Sequence, residues 1–223
     1  MKAIIFGSTG LIGANILRLL NSSNEFTSIT SFVRKRSDII PTKVKEIVTD
    51  FQNIEELKDE FTCDVCFISL GTTIKQAGSQ EKFKEVDYSL VLTVARLCKI
   101  MDVKSVLVVS SLGADPNSSV FYSRIKGEME RDVSKLELNS LYFFRPSLLL
   151  GDRKDFRIGE KVGEVISGAF SIFFVGGLKK YKPISAEIVA KAMLRVSLLF
   201  KTGIHFFESD EISDLDAVIS SKI

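Results

Sequence analysis

Three glycines near the N-terminus restrict what this chain can fold into more than any other feature. Residues 2–13 read Lys-Ala-Ile-Ile-Phe-Gly-Ser-Thr-Gly-Leu-Ile-Gly. The apolar run Ala3–Phe6 has the length and composition of a buried strand, and Gly7, Gly10 and Gly13 break it at G-x-x-G-x-x-G spacing. Behind the glycines, Leu11, Ile12, Ile16, Leu17, Leu19 and Leu20 recur with a helical period. Strand, glycine turn and helix in this order is the opening unit of a dinucleotide-binding βαβ fold. Gly7 then allows the tight turn off the strand, Gly10 the close approach of backbone to a pyrophosphate, and Gly13 the packing of helix on sheet. The helix N-terminus adds free N–H groups and a partial positive charge.

The rest of the chain keeps alternating strand and helix. Apolar runs at 28–33, 44–48, 65–70, 105–109, 141–144 and 204–207 read as strands. Helical patterns follow at 53–61, with Asn53 as its cap, and at 80–101, 121–136 and 186–200. A short closing helix is expected in 209–223, and residues 74–80 read as a polar loop. With no internal repeat and no linker, residues 1–223 form one α/β domain built on a doubly wound parallel sheet. Right-handed crossovers put every strand's carboxyl end on one edge, where ligands bind. Gly7, Arg34, Asp50, Gly71, Ser111 and Pro146 all fall at such ends. Their convergence on one edge is a stronger argument than any of them singly.

Composition closes off other classes. A net charge of +2 gives no field suited to nucleic acid or a membrane surface. No run of about 18 apolar residues is present, and a strand beginning at residue 3 leaves no room for a signal peptide. The expected location is therefore cytoplasmic. One histidine, His205, beside an apolar strand, gives neither a Ser-His-Asp hydrolase nor a metal site its ligands, so no metal is expected. Cys63 and Cys66 are spaced C-x-x-C, but a strand rather than a helix follows them; they read as structural thiols, facing opposite ways if the strand includes Cys63. Arg153, Lys154, Arg157, Lys179, Lys180 and Lys182 read as solvated charges rather than an anionic-substrate site.

Two clusters carry chemistry. The second strand runs into Arg34-Lys35-Arg36 with no carboxylate at its end. A carboxylate there would take the ribose hydroxyls of NAD, whereas an arginine accommodates a 2′-phosphate, so NADP(H) is the expected cofactor. Tyr122 and Lys126 are four apart on a helix and share a face. An ammonium beside a phenol stabilises the phenolate and brings its pKa down from about 10 towards a working range. The pair then serves as a tuned acid or base. Ser110-Ser111, closing the fifth strand, would hold a substrate carbonyl oxygen beside the phenol.

These residues resemble the short-chain dehydrogenase/reductase superfamily, and within it the atypical Tat-interacting oxidoreductase, NmrA-like and epimerase-like group. The carrying segments are Gly7–Gly13, Leu70–Thr73 with Lys75 and Ala77-Gly78, Val86–Tyr88, Ser110–Asp115, Tyr122–Glu128, Phe144–Pro146 and Leu150–Arg153. The resemblance runs from residue 1 to about residue 200. It implies a Rossmann-like fold with a small C-terminal substrate lobe, to which 151–182 and 203–223 contribute. It also implies that Gly7, Ser8, Thr9, Gly10, Leu11 and Ile12 line the pyrophosphate, Arg34 meets the 2′-phosphate, and Asp50 and Phe51 meet the adenine. Leu70, Gly71 and Thr72 would border the nicotinamide ribose, and Pro146 the nicotinamide. Tyr122 would be catalytic, Lys126 would bind the ribose and tune Tyr122, and Ser111 would stand in for a hydroxyl that many relatives carry one residue later, at Leu112.

The expected function is an NADPH-dependent reductase of a small carbonyl compound. The alternatives are an NADP(H)-sensing binding protein with little turnover, an epimerase-like activity and a flavin reductase. Pairing of the long helices into a homodimer is an analogy with the same group.

Overall fold

The computed structural model describes residues 1–151 and 176–220. Strand β1 (Lys2–Phe6) lies near the middle of a seven-stranded sheet and is buried from Ala3 onward. On one side lie β2 (Ser28–Val33) and β3 (Val44–Val48). On the other lie β4 (Val65–Ile68), β5 (Ser105–Val109), β6 (Ser140–Arg145) and β9 (Gly203–Glu208). The order β3-β2-β1-β4-β5-β6-β9 is parallel at every pairing. The chain winds outward in both directions from β1, so the crevice between β1 and β4 is a topological switch point. A second, two-stranded sheet joins β7 (Leu149–Leu150) to β8 (Ile184–Ser185).

Both faces of the sheet are covered, which is why its strands are unbroken apolar runs. Ala3, Ile5, Phe67, Leu107 and Tyr142 pack under helices α1 (Leu11–Ser22) and α4 (Ala186–Ser197). Ile4, Phe6, Cys66, Val106 and Leu141 pack under the helices on the opposite face. Those are α2, which runs Gln80–Lys84, passes through a π turn at Glu85–Leu90 and continues as Val91–Ile100, and α3 (Phe121–Ser134). Each fully buried Phe or Ile contributes about 1.5–3 kcal/mol, so either core alone outweighs any surface ion pair. Helix α5 (Ser209–Ser220) follows β9.

Several elements depart from the sequence reading. Ile54–Phe61 is a 3₁₀ helix kinked at Leu57, and Asn53 offers it a backbone carbonyl (Glu56 N–H, 3.1 Å) instead of a side-chain cap. Residues 74–77 form a single helical turn, capped by the Thr73 hydroxyl and ended by left-handed Gly78. Strand β4 stops at Ile68, and Ser69 then anchors the chain to β1 by donating both its N–H and its hydroxyl to the Phe6 carbonyl, each at 2.9 Å. Segment 203–223 begins with a strand of the main sheet. Most of the expected lobe, 152–175, lies outside the described residues, along with Arg153, Lys154 and Arg157. Among the described residues no helix is long and apolar enough to cross a membrane.

Candidate functional site: a dinucleotide cleft with a buried ion pair behind it

The glycine turn is fixed by contact with β4. Gly7 has φ +84°, and a Cβ there would lie 2.5 Å from the Ser69 carbonyl oxygen. A Cβ on Gly13 would lie 2.0 Å from the Gly7 carbonyl oxygen, so helix and turn touch backbone to backbone. Gly10 is looser, its Cβ meeting only the Gly7 oxygen at 3.2 Å. No side chain caps the N-terminus of α1 and no acidic residue occupies its first turn. Its leading N–H groups are therefore left for an anion.

A cavity of about 1440 Å³ opens over this turn at the carboxyl edge. Gly7, Thr9, Gly10 and Leu11 line its middle, Arg34, Asp50 and Phe51 one end, and Leu70, Gly71 and Thr72 the β4 wall. Leu150, Gly151 and Ser185–Glu187 close another side. Of the expected cofactor contacts, Ser8 turns inward and accepts a 2.7 Å hydrogen bond from the Ser31 hydroxyl, and the Ile12 side chain belongs to the core. Ser8 and Ile12 therefore have only backbone to offer a phosphate. Ser111, Tyr122, Lys126 and Pro146 are not among the residues lining the cavity.

The end of the cavity lined by Arg34 and Phe51 carries a strained residue. Phe51 has φ +69°, a conformation costing on the order of 1–3 kcal/mol outside glycine. Two side-chain bonds hold it: Phe51 N–H to the Thr49 hydroxyl and Gln52 N–H to Asp50, each at 3.0 Å. Arg34 is exposed on the cavity wall, and no carboxylate among the described residues pairs with it.

On the other side of the β4 loop, α3 presents Tyr122, Lys126 and Glu130 four residues apart. Tyr122 is 38% exposed, its ring 5.6 Å from that of Phe83. Lys126 is 3% exposed, and its Nζ lies 2.7 Å from Oδ1 of the fully buried Asp87. Burial pulls the Lys126 pKa down most strongly, but the charges of Asp87 and Tyr122, the Asp87 hydrogen bond and Glu130 together raise it above the ordinary lysine value. Glu130 is itself clamped by Arg145, through Nε at 2.9 Å and Nη2 at 2.5 Å, and that guanidinium stacks on Phe206. The clamp fixes the end of β6 just before Pro146.

Ser110 and Ser111 are both buried, and neither hydroxyl has a partner among the described residues. A buried hydroxyl without a partner is a group that a polar ligand would satisfy. Bonds from Ser110 N–H to the Phe144 carbonyl and from Leu112 N–H to the Pro146 carbonyl extend the β5 ladder. Side-chain alternation then puts Ser110 on the α3 face with Val106 and Val108, and Ser111 on the α1/α4 face with Leu107 and Val109.

In the sequence reading Asp87 appears only within the segment Val86–Tyr88, with no role of its own, and Glu130 does not appear. Both left a signal. Asp87 continues an apolar stripe, Phe83-Asp87-Val91, and Glu130 extends the Tyr122-Lys126 spacing by one more turn.

The cysteines sit away from this cleft. Cys63 precedes β4 rather than belonging to it, and it packs with Cys66 in the α2/α3 core. The opposed-face arrangement therefore does not arise. Burial, above all, pushes both thiols well above their usual pKa, which makes them poor nucleophiles. His205 stacks on Tyr142 with ring centroids 5.1 Å apart, and Lys180 pairs with Glu208 at 2.9 Å.

A family model described as HIM1 matches residues 26–170. The chain belongs to the HIM1 family. Among relatives of this HIM1-family chain is "Protein FMP52, mitochondrial" of Candida albicans, 33% identical over 200 residues, covering 87% of this chain and 86% of the relative. Rat "Protein HTATIP2" is 33% identical over 197 residues, covering 86% and 79%. Among solved structures, "MoeE5 in complex with UDP-glucose and NAD" superposes with a TM-score of 0.71 over 99% of this chain and 82% of that one, at 14% identity. The resemblance read from the sequence therefore holds at family level, and the fold is the Rossmann-like fold of the epimerase and short-chain reductase superfamily. The expected cytoplasmic location does not hold: the FMP52 relatives are named mitochondrial.

Proposed function

We propose that this HIM1-family protein is an NADP(H)-binding oxidoreductase of the atypical short-chain type that reduces a small carbonyl compound. The observation that carries the reading is the pairing of an uncapped glycine turn with a buried lysine on the Tyr122 helix, across one β4 loop. The dinucleotide in the MoeE5 complex is NAD. The preference for NADP(H) rests on Arg34, a cation just past β2 that forms an ion pair with no carboxylate among the described residues.

When bound, the nicotinamide supplies hydride. The chain's own residues bind, orient and move a proton. The α1 N-terminus holds the pyrophosphate, and Arg34 takes the 2′-phosphate. Lys126 donates to the nicotinamide ribose and keeps a positive charge near Tyr122. The Tyr122 hydroxyl gives its proton to the carbonyl oxygen as negative charge develops there, and a serine hydroxyl at the end of β5 holds that oxygen.

Calorimetry with NADPH and NADH tests the cofactor assignment, and equal affinities would sink the NADP preference. Screening NADPH oxidation across aldehydes, ketones, quinones and flavins tests the reaction. A second reading, an NADP(H)-sensing binding protein, is favoured by the backbone bonds of Ser110 and Leu112, since strand alternation carried on from Val109 turns Ser111 to the α1/α4 face. Tyr122→Phe separates the two. A reductase loses turnover and keeps cofactor affinity; a sensor keeps its partner interaction.

A further inference from the structure

Asp87 has no part in the chemistry above, yet three pieces of the site meet at its carboxylate. Oδ1 lies 2.7 Å from Lys126 Nζ on α3. Oδ2 accepts the Thr72 N–H at 2.9 Å from the loop after β4. A Cβ on Gly71 would come 3.5 Å from Asp87 Oδ1 and 4.0 Å from Lys126 Nζ, so the ion pair lies directly behind backbone that lines the cleft. Asp87 sits inside the π turn Glu85–Leu90, a local irregularity of the kind often found at functional positions.

The charges around Lys126 single out Asp87. Asp87 faces it from α2; Tyr122 and Glu130 face it from α3. Glu130 is engaged by the Arg145 guanidinium. Ser110, on the β5 strand facing α3, carries no charge. Among the described residues, Asp87 is thus the carboxylate left to balance the buried ammonium, and without it that charge would be strongly disfavoured. An ammonium has three protons to donate, and no other hydrogen bond among the described residues occupies those of Lys126.

We propose that Asp87 is a positioning residue of this site: it seats the Lys126 ammonium behind Gly71, ties it to the Thr72 backbone, and so aims its remaining N–H groups at the cofactor ribose. This rests on the nicotinamide-cofactor reading above. The residue acts through Lys126 and touches neither cofactor nor substrate.

The test uses Asp87→Asn, which keeps the shape and an acceptor for Thr72 but removes the charge. Lys126 is titrated in cofactor-free, isotopically lysine-labelled protein by NMR, its resonance assigned with Lys126→Met. The expected result is a Lys126 titration at least about two pH units lower in Asp87→Asn than in the wild type. NADPH affinity should then fall about tenfold between about pH 7 and about pH 9.5 in the variant and stay level in the wild type. Asp87→Glu should restore part of it. In the Lys126→Met background, Asp87→Asn should cost no further affinity, the non-additivity expected of a residue acting through its partner.

An unchanged Lys126 titration in folded Asp87→Asn overturns the proposal, as does an affinity loss that simply adds to that of Lys126→Met. If Asp87→Asn alone does not fold, the double variant should, since the stranded ammonium is gone; equal unfolding of both also overturns it. A wild-type protein that binds neither NADPH nor NADH breaks the function reading instead. The titration needs no cofactor and still decides whether Asp87 seats Lys126.

Discussion

The two sides of the β4 loop, a glycine-turn wall that lines the cleft and an α3 wall that stands behind it, are built on different physics. The glycine-turn wall is held by backbone: Gly7 and Gly13 are pressed against each other and against Ser69, and the ligand-facing groups are N–H donors of α1. The α3 wall is held by side-chain charge: Asp87 against Lys126, both buried, and buried Glu130 against half-buried Arg145. Steric packing is insensitive to pH and salt, and it fails abruptly when volume is added. A buried ion pair is insensitive to shape and fails when one partner is removed. On the proposed function, the first wall suits binding a dinucleotide that is the same in every turnover. The second suits a proton whose position must change.

The largest expected effect comes from adding one methyl group to the first wall. In Gly13→Ala the new Cβ would lie 2.0 Å from the Gly7 carbonyl oxygen, which is backbone and cannot swing away. Helix α1 must lift off the sheet, at a cost of about 3 kcal/mol or more. Gly10→Ala meets only one atom, at 3.2 Å. It should leave stability within about 1 kcal/mol, yet lower cofactor affinity at least about tenfold, because Gly10 lines the cleft where the pyrophosphate must approach. Thermal melts and calorimetry on the two variants check this. Equal destabilisation would show that the turn is a packing motif and no more.

The second wall breaks differently. Tyr122→Phe removes a half-exposed hydroxyl and should leave the melting temperature nearly unchanged. Turnover should fall by about 10²–10⁴, with NADPH affinity kept. Steady-state rates and cofactor titrations on one preparation provide the measurement. A variant that retains full turnover would move the proton donor elsewhere, Ser110 and Ser111 being the next groups to examine.

How far each wall can be read from sequence follows from the same difference. The backbone wall is local. Strand, glycines and helix occupy residues 2–22, and the spacing alone yields turn, helix start and switch point. The order of the sheet follows from alternation and crossover hand. The charge wall joins residues far apart, Asp87 with Lys126 and Glu130 with Arg145. Half of each pair was visible: Tyr122 and Lys126 from their spacing, Arg145 from its place beside Pro146. Asp87 was hidden because a helix-period reading treats 80–101 as one regular helix. The π turn inside it cannot be seen without the i→i+5 bonds. Ser111 shows the converse. The residue type was legible, but its face depended on how far the β5 ladder ran, which only the Ser110 and Leu112 backbone bonds reveal.

A smaller effect belongs to Arg34, at the rim where the two walls have least say. It is exposed, so Arg34→Ala should not alter stability. A charge-assisted hydrogen bond to a phosphate is worth about 1.5–3 kcal/mol. The preference for NADPH over NADH should therefore narrow by roughly ten- to a hundredfold, with NADH affinity unchanged. Calorimetry with both nucleotides measures it. A loss shared equally by the two would place Arg34 at the adenine or the pyrophosphate instead.

The smallest expected effect lies behind the charge wall, where α2 meets α3 near solvent. Asp132 accepts hydrogen bonds from Arg131 at 2.8 Å, Lys135 at 2.8 Å and the Tyr88 hydroxyl at 2.9 Å. The Arg131 bond first, then those of Lys135 and Tyr88, hold its carboxyl far below the usual carboxylate range. A carboxyl depressed on folding stabilises the native state above its unfolded value, about 3.9, and that contribution disappears as pH falls through the folded value. The wild type should therefore lose stability steadily below about pH 4. Asp132→Asn keeps an acceptor for Tyr88 and has no proton to gain. Its melting temperature should fall less steeply over that range, while at neutral pH it is less stable than the wild type by no more than about 1 kcal/mol, since its cationic partners are solvent-exposed. Melts across the acid range decide it. Parallel curves would mean that the α2–α3 contact is held by the apolar core beneath, with Met129 and Val133 against Val94 and Cys98, and that its outer charges are incidental.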